Sequence, residues 1–334
     1  MINSIKKKAV SFSAIGLLLV SGIGVSTDNA IFTNQNITAM AYSTSTATLS
    51  NPTITSEYIM PDKITFTVNK PSNATGIKIY KYNASTKKYT LLKTATSSKL
   101  VYNLTGLNAN TKYQVKISCY KGSATKDVVK TYTTKKSKVS LNTPIYKQTG
   151  NTCMTTSATM LINGEKNAKW NSNTFAQYAW KKGYFTQNLN AGNRNNSAPG
   201  EFGKLGMFAP YLVKSVNEYA KSKNQNITAE NHFSKIWDTQ EKSFNEAQAL
   251  KEIPNIVSKY LNNNKRCLVV FCSQNNNPKS GHAIVLTGYT YKSGTYTFTY
   301  NNPWGSTGII SANNLAKSMV LVTKAEYGAL ITLK

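Results

Sequence analysis

Two apolar, β-branched runs joined by a short polar connection constrain this chain more than any other feature. The runs are Gly281–Tyr289 and Thr295–Gly305, and the connection between them contains Lys292–Gly294. Such a pattern predicts a β-hairpin with a three-residue loop in which Gly294 adopts the left-handed conformation. The hairpin decides which side chains near residues 282 and 302 can meet.

With that loop, Tyr291 faces Thr295 and His282 lies opposite Trp304. Asn302 is two residues from Trp304, so the pleat places it on the same face as His282 and within reach of the imidazole. A neutral amide that holds an imidazole selects one tautomer and leaves the other ring nitrogen free to activate a nucleophile. A register error of one residue would turn these side chains to opposite faces.

The candidate nucleophile is Cys153, which lies in the segment Tyr146–Leu161. A polar turn there is followed by small and apolar residues that can begin a helix, with Cys153 in its first turn. Free backbone N–H groups and the positive end of a helix dipole stabilise a thiolate. We therefore expect the pKa of Cys153 to be lowered.

These residues, in this order, resemble the papain-like cysteine peptidases, nearest to the bacterial branches that include staphopains and bacteriocin-processing peptidases. The similarity covers residues 140–334. His282 follows Cys153 by 129 residues and Asn302 follows it by 149, close to the roughly 130–150 of a papain-type arrangement. The resemblance implies an α+β fold for this domain. It also implies that Trp304 shields the contact between Asn302 and His282.

The implied reaction is peptide-bond hydrolysis. Cys153 is the nucleophile, His282 the base and acid, Asn302 the residue that orients His282, and Gln148 an oxyanion-hole donor together with the Cys153 N–H. Gln148 is five residues before Cys153, one closer than the usual pattern. Met154 stands where many relatives carry Trp, Gly or Ala, which changes the expected wall of the primed side and leaves the chemistry unaltered.

The sequence also contains a second histidine and is compatible with other functions. The second histidine, His232, has polar neighbours typical of a surface, so His282 is the better candidate base. Two histidines and scattered cysteines provide no metal-ligand spacing, and no metal or cofactor is predicted. Cell-wall amidases of the CHAP kind and transglutaminases place their His much closer to the Cys. A cell-wall peptide amidase on the same fold and a non-catalytic cell-surface binding or adhesion protein remain alternatives.

The amino terminus has the layout of a secretory signal peptide. Lys6–Lys8 precede the uncharged, small-to-apolar run Ala9–Val25. We expect a signal peptide over residues 1–30, with cleavage as late as Ala41, and a secreted, extracellular protein that could associate with a cell wall. An uncleaved anchor is the alternative, and no second apolar stretch of that kind follows.

The charge is strongly basic. The chain has 40 Lys and Arg against 13 Asp and Glu, a formal net charge of +27, and Arg occurs only at positions 194 and 266. Such a protein is attracted to polyanions. Dispersed lysines supply point charges without the bidentate geometry that reads bases. The expected partners are therefore a protein or peptide substrate and an anionic cell-wall or surface polymer, with no specific nucleic acid.

Residues 48–135 have a different pattern, with short alternating runs that predict an all-β sandwich. The segment Leu104–Tyr113 resembles the fibronectin type III turn that leads into its tyrosine-bearing strand, with Phe66 in place of the usual core Trp. A spacer or adhesion module is the first interpretation and an inhibitory prosegment the alternative. Lys135–Lys138 is then an exposed basic linker and a proteolysis site.

The remaining cysteines and helices complete the prediction. Cys267 and Cys272 flank a probable strand about 16 Å long, too far apart for a disulfide, and Cys119 belongs to the other domain, so all three should be reduced and buried. The loop 188–206 is expected either to line the cleft or to be a plain surface loop. Helices are predicted at Ser157–Leu161, Asn173–Lys181, Tyr211–Lys221 and Asn245–Asn262.

Overall fold

A computed structural model describes residues 48–185, 206–232, 246–273, 280–323 and 328–334 of the chain. These residues belong to one compact unit. The predicted signal peptide and residues 31–47 lie outside the described residues. So do nearly all of the loop predicted at 188–206 and position 245 of the fourth predicted helix.

The first domain is an all-β sandwich, as predicted. Its antiparallel sheets have the strand orders β1-β2-β5 and β4-β3-β6-β7. Residues of alternating character on each strand bury one face between the sheets, where Phe66 is fully buried and stacks on Tyr132 with ring centroids 6.2 Å apart. The strands are β1 (Thr53–Ile59), β2 (Ile64–Asn69), β3 (Gly76–Asn83), β4 (Lys88–Ala95), β5 (Lys99–Leu104), β6 (Lys112–Lys121) and β7 (Ala124–Thr133).

A tyrosine corner closes the turn before β6. The backbone N–H of Asn108 donates a hydrogen bond of 2.8 Å to the hydroxyl oxygen of Tyr113, and Gly106 takes a φ of 69° in the same turn. This bond ties the turn to the strand that follows it. The fibronectin type III-like prediction is confirmed by this topology, with Phe66 at the centre of the core.

The second domain is α+β and papain-like. Its sheet has the order β13-β12-β11-β10-β14-β9, with β8 paired to β11. Helices α1 to α3 pack on one face of the sheet and α4 and α5 on the other. The elements are β8 (Lys138–Ser140), α1 (Cys153–Lys166), α2 (Ser172–Lys181), α3 (Ala209–Ser222), β9 (Ala229–Asn231), α4 (Glu246–Asn262), β10 (Cys267–Cys272), β11 (Gly281–Lys292), β12 (Thr295–Asn302), β13 (Ser306–Ser311), α5 (Ala312–Thr323) and β14 (Leu330–Leu333).

The four predicted helices are confirmed as α1 to α4. Helix α1 begins at Cys153, which is in its first turn as expected, four residues before the predicted segment Ser157–Leu161. Helix α1 is buried along most of its length because it lies between the sheet and helices α2 and α3. Burial on several sides explains why its apolar residues show no single stripe.

The connection between the domains differs in part from the prediction of an exposed linker, because Lys136–Lys138 are exposed but Lys135 is not. Lys135 is buried, and its Nζ donates to the Ser258 hydroxyl at 2.7 Å. Strand β8 then pairs with residues 288–290 of β11, on the edge that β10 leaves after residue 286. At Gly288, a Cβ atom would lie 2.2 Å from the Val139 carbonyl oxygen. The connection is therefore part of the peptidase sheet, because only glycine lets β8 approach β11 so closely.

Candidate active site

The hairpin of β11 and β12 is present, but its loop is shorter than predicted. Lys292 pairs with Thr295, which leaves a two-residue loop of Ser293 and Gly294. Both loop residues have positive φ, 50° and 80°, as a type I′ turn requires. The predicted three-residue loop is wrong because Ser293 accepts the left-handed conformation that the prediction reserved for glycine.

A β-bulge then restores the register on the side of the candidate site. Gly288 pairs with Thr299, whereas Leu286 pairs with Tyr300, so one residue of β11, Thr287, is extra. The bulge shifts the register by one residue in the direction opposite to the loop error. Beyond it, Val285 pairs with Asn301, the pairing that the predicted register also requires.

His282, Asn302 and Trp304 come together at this end of the hairpin. His282 Nε2 lies 2.9 Å from Asn302 Oδ1, and both side chains are buried. The Trp304 ring stacks on the imidazole with centroids 4.3 Å apart, while 56% of Trp304 stays exposed. The indole therefore covers one face of the His–Asn pair and leaves its own outer face to solvent.

The hydrogen bonds around Asn302 define the imidazole tautomer. Asn302 Oδ1 also accepts a hydrogen bond of 3.0 Å from the Trp304 backbone N–H. An atom that accepts from a backbone N–H is the amide oxygen, so His282 Nε2 must be the donor in its own bond to that atom. A neutral imidazole protonated at Nε2 has its lone pair on Nδ1. That lone pair can accept a proton from a nucleophile.

Cys153 begins helix α1, which packs against the start of β11. The Ser157 hydroxyl donates to the Ala283 carbonyl at 3.0 Å, one turn along the helix. The backbone N–H of Ala283, the residue that follows His282, lies near enough to the Cys153 sulfur to lower the pKa of the thiol in part. The first turn of α1 thus adjoins the His282 segment.

The electrostatics of the thiol differ from the prediction. Burial raises the pKa of Cys153, although hydrogen bonds from the backbone N–H groups of Ala283, Met154 and Cys153 lower it in part. Burial has the opposite effect on a base: it lowers the pKa of His282, and the hydrogen bond to Asn302 partly offsets that change. The expected lowered thiol pKa is wrong for this state, because loss of solvent outweighs the helix terminus. Both shifts favour the neutral forms, a thiol at Cys153 and an imidazole at His282.

Gln148 is bound to the Trp304 corner through its backbone. Its N–H donates to the Pro303 carbonyl at 2.6 Å, and the preceding residue, Lys147, forms a β-bridge with Trp304. The Gln148 Nε2 donates to the Gly150 carbonyl at 2.5 Å, and the Oε1 atom is buried without a partner. A primary amide has two N–H donors, so one remains for a ligand.

Two other residues lie in surroundings that the sequence pattern did not indicate. Met154, expected at the wall of the primed side, is buried in the hydrophobic core. His232 is buried too, which corrects the surface prediction, and its Nε2 lies 2.7 Å from the Thr332 hydroxyl and 2.9 Å from Glu230. The polar neighbours suggested a surface, but one of them, Glu230, is a partner of the buried imidazole, and the other partner, Thr332 of β14, is 100 residues away in sequence.

Phe271 is a neighbour of the site that the sequence analysis missed. It pairs with His282 across β10 and β11, and its ring meets the imidazole edge-on at 6.0 Å. The signal was available, because Cys267–Cys272 reads as a strand, but its register against β11 could not be deduced without a connecting turn. Cys119 and Cys267 form no disulfide and are buried as predicted, whereas Cys272 forms no disulfide and is half-buried.

The described ranges contain no group of three or more His, Cys, Asp or Glu side chains arranged to hold a metal ion. Nor do those ranges hold a helix with the length and apolar character needed to cross a membrane.

The α+β domain, with a cysteine at the start of its central helix and a His–Asn pair on the adjoining hairpin, has the papain-like architecture. Residues 140–322 match the Peptidase_C39 like family. Since this match spans more than half of the chain, the protein belongs to the Peptidase_C39 like family, and this membership supports cysteine peptidase activity. A search of curated proteins finds no match.

Solved structures similar to the all-β part include the crystal structure of FN3tt, at 17% identity over 26% of this chain and 97% of that chain, with a TM-score of 0.21. A computer-based redesign of a β-sandwich protein is 26% identical over 25% of this chain and 90% of its own, with a TM-score of 0.22. The fibronectin type-III domain of human fibronectin type III domain containing protein 3 is 18% identical over 25% and 82%, with a TM-score of 0.21.

Proposed function

We propose that this protein is a secreted cysteine endopeptidase that hydrolyses peptide bonds with Cys153, His282, Asn302 and Gln148. The observation that supports this most is the 2.9 Å bond between His282 Nε2 and an Asn302 oxygen whose identity is set by the Trp304 N–H. That arrangement leaves a basic Nδ1 on a segment joined to the Cys153 turn.

In the proposed acylation step, the Cys153 thiol transfers its proton to His282 Nδ1 as the sulfur attacks the carbonyl carbon of the substrate. The carbonyl oxygen becomes an oxyanion that accepts hydrogen bonds from the Cys153 N–H and the free N–H of the Gln148 amide. His282 then gives the proton to the leaving nitrogen, the C–N bond breaks, and an amine and a thioester remain.

Deacylation reverses these roles. His282 Nδ1 takes a proton from a water molecule while the water oxygen attacks the thioester carbonyl. The C–S bond breaks, the proton returns to the sulfur, and the carboxylic acid product leaves. Asn302 accepts a hydrogen bond from Nε2 throughout, so the imidazolium formed in each half-reaction stays in place.

The sandwich contacts the peptidase far from this site, which favours a spacer or adhesion role over an inhibitory prosegment. Tyr58 of β1 donates to Glu252 of α4 at 3.5 Å, and the Tyr291 hydroxyl near the hairpin loop donates to Asp62 at 2.7 Å. The described hydrogen bonds between the domains thus involve the body of α4, its last residue Asn262, and the loop end of the hairpin. A prosegment that inhibits must instead cover the nucleophile.

Export and the relation to known branches are further parts of the proposal. The lysines at 6–8 and the apolar run to residue 25 support secretion, and N-terminal sequencing of protein from the culture medium should find cleavage after Ala30 or Ala41. Intact protein retained in the membrane fraction would oppose it. The order and spacing of the four site residues support placement near the staphopain and bacteriocin-processing branches.

Hydrolysis of casein by purified protein tests the enzyme directly. Cys153→Ala should abolish cleavage and leave the unfolding midpoint close to that of the wild type, since Cys153 is not fully buried as a residue and the change removes a single sulfur atom. Cys272→Ala is the matched control, a second half-buried cysteine, and should retain cleavage. Full activity of Cys153→Ala together with loss in Cys272→Ala would show that the nucleophile is misassigned.

Isolated cell-wall peptides test the alternative chemistry in the same assay. An endopeptidase should cleave casein at internal bonds and release new amino termini that mass spectrometry identifies. Cleavage of wall peptides alone, dependent on Cys153, would establish the amidase alternative. Absence of both activities from folded wild-type protein would favour the non-catalytic binding protein.

A further inference from the structure

The outer face of the four-stranded sheet in the sandwich carries an unusual set of side chains. Ile79 and Ile117 are fully buried on the inner face, so their neighbours along β3 and β6 point outward. We call the outward set the tyrosine face: Tyr80, Tyr82, Tyr89, Leu91, Gln114, Lys116, Tyr120 and Val129, together with Lys78. These residues adjoin one another through the pairings of β3 with β4 and β6 and of β6 with β7.

The tyrosine face points away from the peptidase. The other sheet of the sandwich faces the peptidase, because Thr65, Val101 and Asn103 line a cavity of about 530 Å³ that is closed on its far side by α4. The two outer faces of a sandwich are on opposite sides of it. A ligand on the tyrosine face would therefore leave the candidate active site open.

The aromatic rings of this face are held by defined contacts. Tyr82 and Tyr89 meet at 5.3 Å between centroids, and the Tyr89 hydroxyl donates to Gln114 at 2.8 Å. The Lys116 ammonium lies 4.6 Å from the centroid of Tyr80 and 5.0 Å from that of Tyr89. Tyrosine rings restrained in this way present contact area at low entropic cost.

The face also exposes apolar area. Leu91 and Val129 are 50% and 48% exposed, and they are two of the six large apolar side chains that stand exposed in the described part of the chain. They flank Tyr80 and Lys116, their partners across the strands. One row across the sheet is therefore Leu91, Tyr80, Lys116 and Val129, with an exposed apolar side chain at each end and a ring and an ammonium group between them.

The charge of the sandwich selects among ligands. Residues 48–135 contain 14 lysines and three acidic residues. Asp127 is the acidic residue paired across the outer face, and it lies 3.5 Å from Lys116. Lys78 Nζ lies 4.9 Å from the Tyr120 centroid. The face thus combines rings, hydroxyl and amide groups, and an excess of positive charge.

We propose that the tyrosine face binds an anionic polysaccharide. The flat C–H side of a pyranose ring matches the aromatic and aliphatic strip, sugar hydroxyls match the Tyr and Gln114 polar groups, and ring carboxylates or phosphates match the lysines. An acidic polypeptide would pair with the lysines, but it has no sugar rings to stack on the tyrosine rings. This site is independent of the proposed peptidase activity and would tether the enzyme to an anionic glycan surface.

Three probes separate these contributions when full-length Cys153→Ala protein is titrated at low and physiological salt. Polygalacturonate carries sugar rings and carboxylates, dextran carries uncharged rings, and polyglutamate carries charge without rings. We expect polygalacturonate to bind at least about tenfold tighter than either of the others, a difference near 1.4 kcal/mol. Equal affinity for polyglutamate, or no binding of polygalacturonate, would overturn the proposal.

Variants locate the binding. The double substitution Tyr89→Ser with Leu91→Ser should weaken polygalacturonate binding about tenfold or more. Leu91→Ser alone, at a half-exposed position, should weaken binding severalfold and covers the case in which the double variant fails to fold. Unchanged binding by folded Leu91→Ser and by Lys78→Gln would overturn the site.

The matched control for charge is Lys99→Gln, an exposed lysine in the other sheet of the sandwich. It removes the same charge as Lys78→Gln, so the proposal requires a clearly larger loss for Lys78→Gln. Equal losses for the two variants would show that dispersed charge, and not this face, binds the polymer.

Discussion

The two ends of the β11–β12 hairpin are built in different ways. At the end with His282 and Asn302, two hydrogen bonds to Asn302 Oδ1, from His282 Nε2 and from the Trp304 backbone N–H, fix the positions of the polar side chains. At the loop end, Tyr289, Tyr291 and Tyr296 pack against one another with centroids 4.7–5.1 Å apart. The linker strand β8 and the sandwich cover these rings. Individual hydrogen bonds therefore define the site end, whereas packing among many apolar and aromatic atoms defines the loop end.

This contrast predicts different responses to substitution. Loss of Asn302 from its pair with His282 leaves a buried polar atom unpaired and also releases the imidazole that the proposed chemistry uses, so turnover should change as well as stability. A packed cluster spreads its contacts over many atoms, so a single change there affects stability and leaves the site intact. Four predictions sharpen or break this comparison.

The largest expected effect is on turnover at the site end. Asn302→Ala should lower kcat by about tenfold to a hundredfold, part of the roughly 10²–10⁴-fold that positioned proton transfer supplies, and should reduce activity far less than Cys153→Ala. Initial rates on a peptide substrate at fixed pH measure it. Wild-type kcat in Asn302→Ala would remove the proposed orienting role.

Asn301→Ala is the neighbouring control. Asn301 is buried and its Nδ2 donates to the carbonyls of Thr143 and Pro144 at 2.9 and 3.2 Å. The substitution should cost about 1–3 kcal/mol of stability because two acceptors lose their donor, while kcat of the folded fraction stays near wild type. A large loss of kcat in Asn301→Ala, together with wild-type kcat in Asn302→Ala, would show that Asn301 is the residue that orients His282.

The second prediction concerns the bulge between the two ends. Gly288→Ala places a Cβ 2.2 Å from the Val139 carbonyl oxygen and 2.9 Å from Thr299 Oγ1. We expect β8 to separate from β11 at a cost of about 1–3 kcal/mol, measured by urea unfolding. Gly206→Ala is the control, since nothing lies within 4 Å of its added Cβ. Equal stability of the two variants would mean that β8 is not held against β11.

The third prediction uses pH at the loop end. Burial, with a smaller contribution from Lys259, lowers the pKa of Lys135 from its ordinary 10.5 to about 7. Between these values the unfolded chain binds a proton that the folded chain does not, so folding stability should rise with pH over that window. Below about pH 7 Lys135 is protonated in both the folded and the unfolded chain, so folding stability stops depending on its titration. Lys135 faces Ser258, the Asn255 carbonyl and the Tyr296 ring, which supply no countercharge.

Lys135→Met removes this titration. The difference in unfolding free energy between wild type and Lys135→Met should therefore change from pH 7 to 10 in favour of the wild type. Lys136→Met, at the exposed neighbour, should show a flat difference over the same range. A flat difference for Lys135→Met as well would mean that its ammonium remains solvated.

The smallest expected effect is at the rim of the loop end. Tyr291→Phe removes the 2.7 Å bond to Asp62, which is solvent-exposed, and should cost about 0.5–1.5 kcal/mol without a change in kcat. Thermal unfolding and casein hydrolysis on the same preparation measure both quantities. A large loss of activity in Tyr291→Phe would break the comparison, because it would show that the loop end controls the site.

The hairpin shows how far sequence reasoning reached. The alternation of apolar residues was sufficient to predict β11 and β12, and the spacing of Asn302 and Trp304 predicted which side chains share a face with His282. The loop was predicted one residue too long and the bulge at Thr287 was not foreseen. The contact emerged because the two register shifts cancel. Nothing local marks Thr287 as a bulge, since it arises where β10 ends and β8 begins along β11.

Period and order along the chain therefore determined the two domains, helices α1 to α4 and the candidate Cys–His–Asn set, since these depend on short-range alternation and on ordered spacing. Helix α5 was not predicted. The tertiary structure decided the burial of Lys135 and His232, the raised thiol pKa and the insertion of the linker into the sheet. Each of these depends on the removal of water by segments distant in sequence. Such desolvation cannot be read from neighbours along the chain, because it is set by what packs against a residue in space.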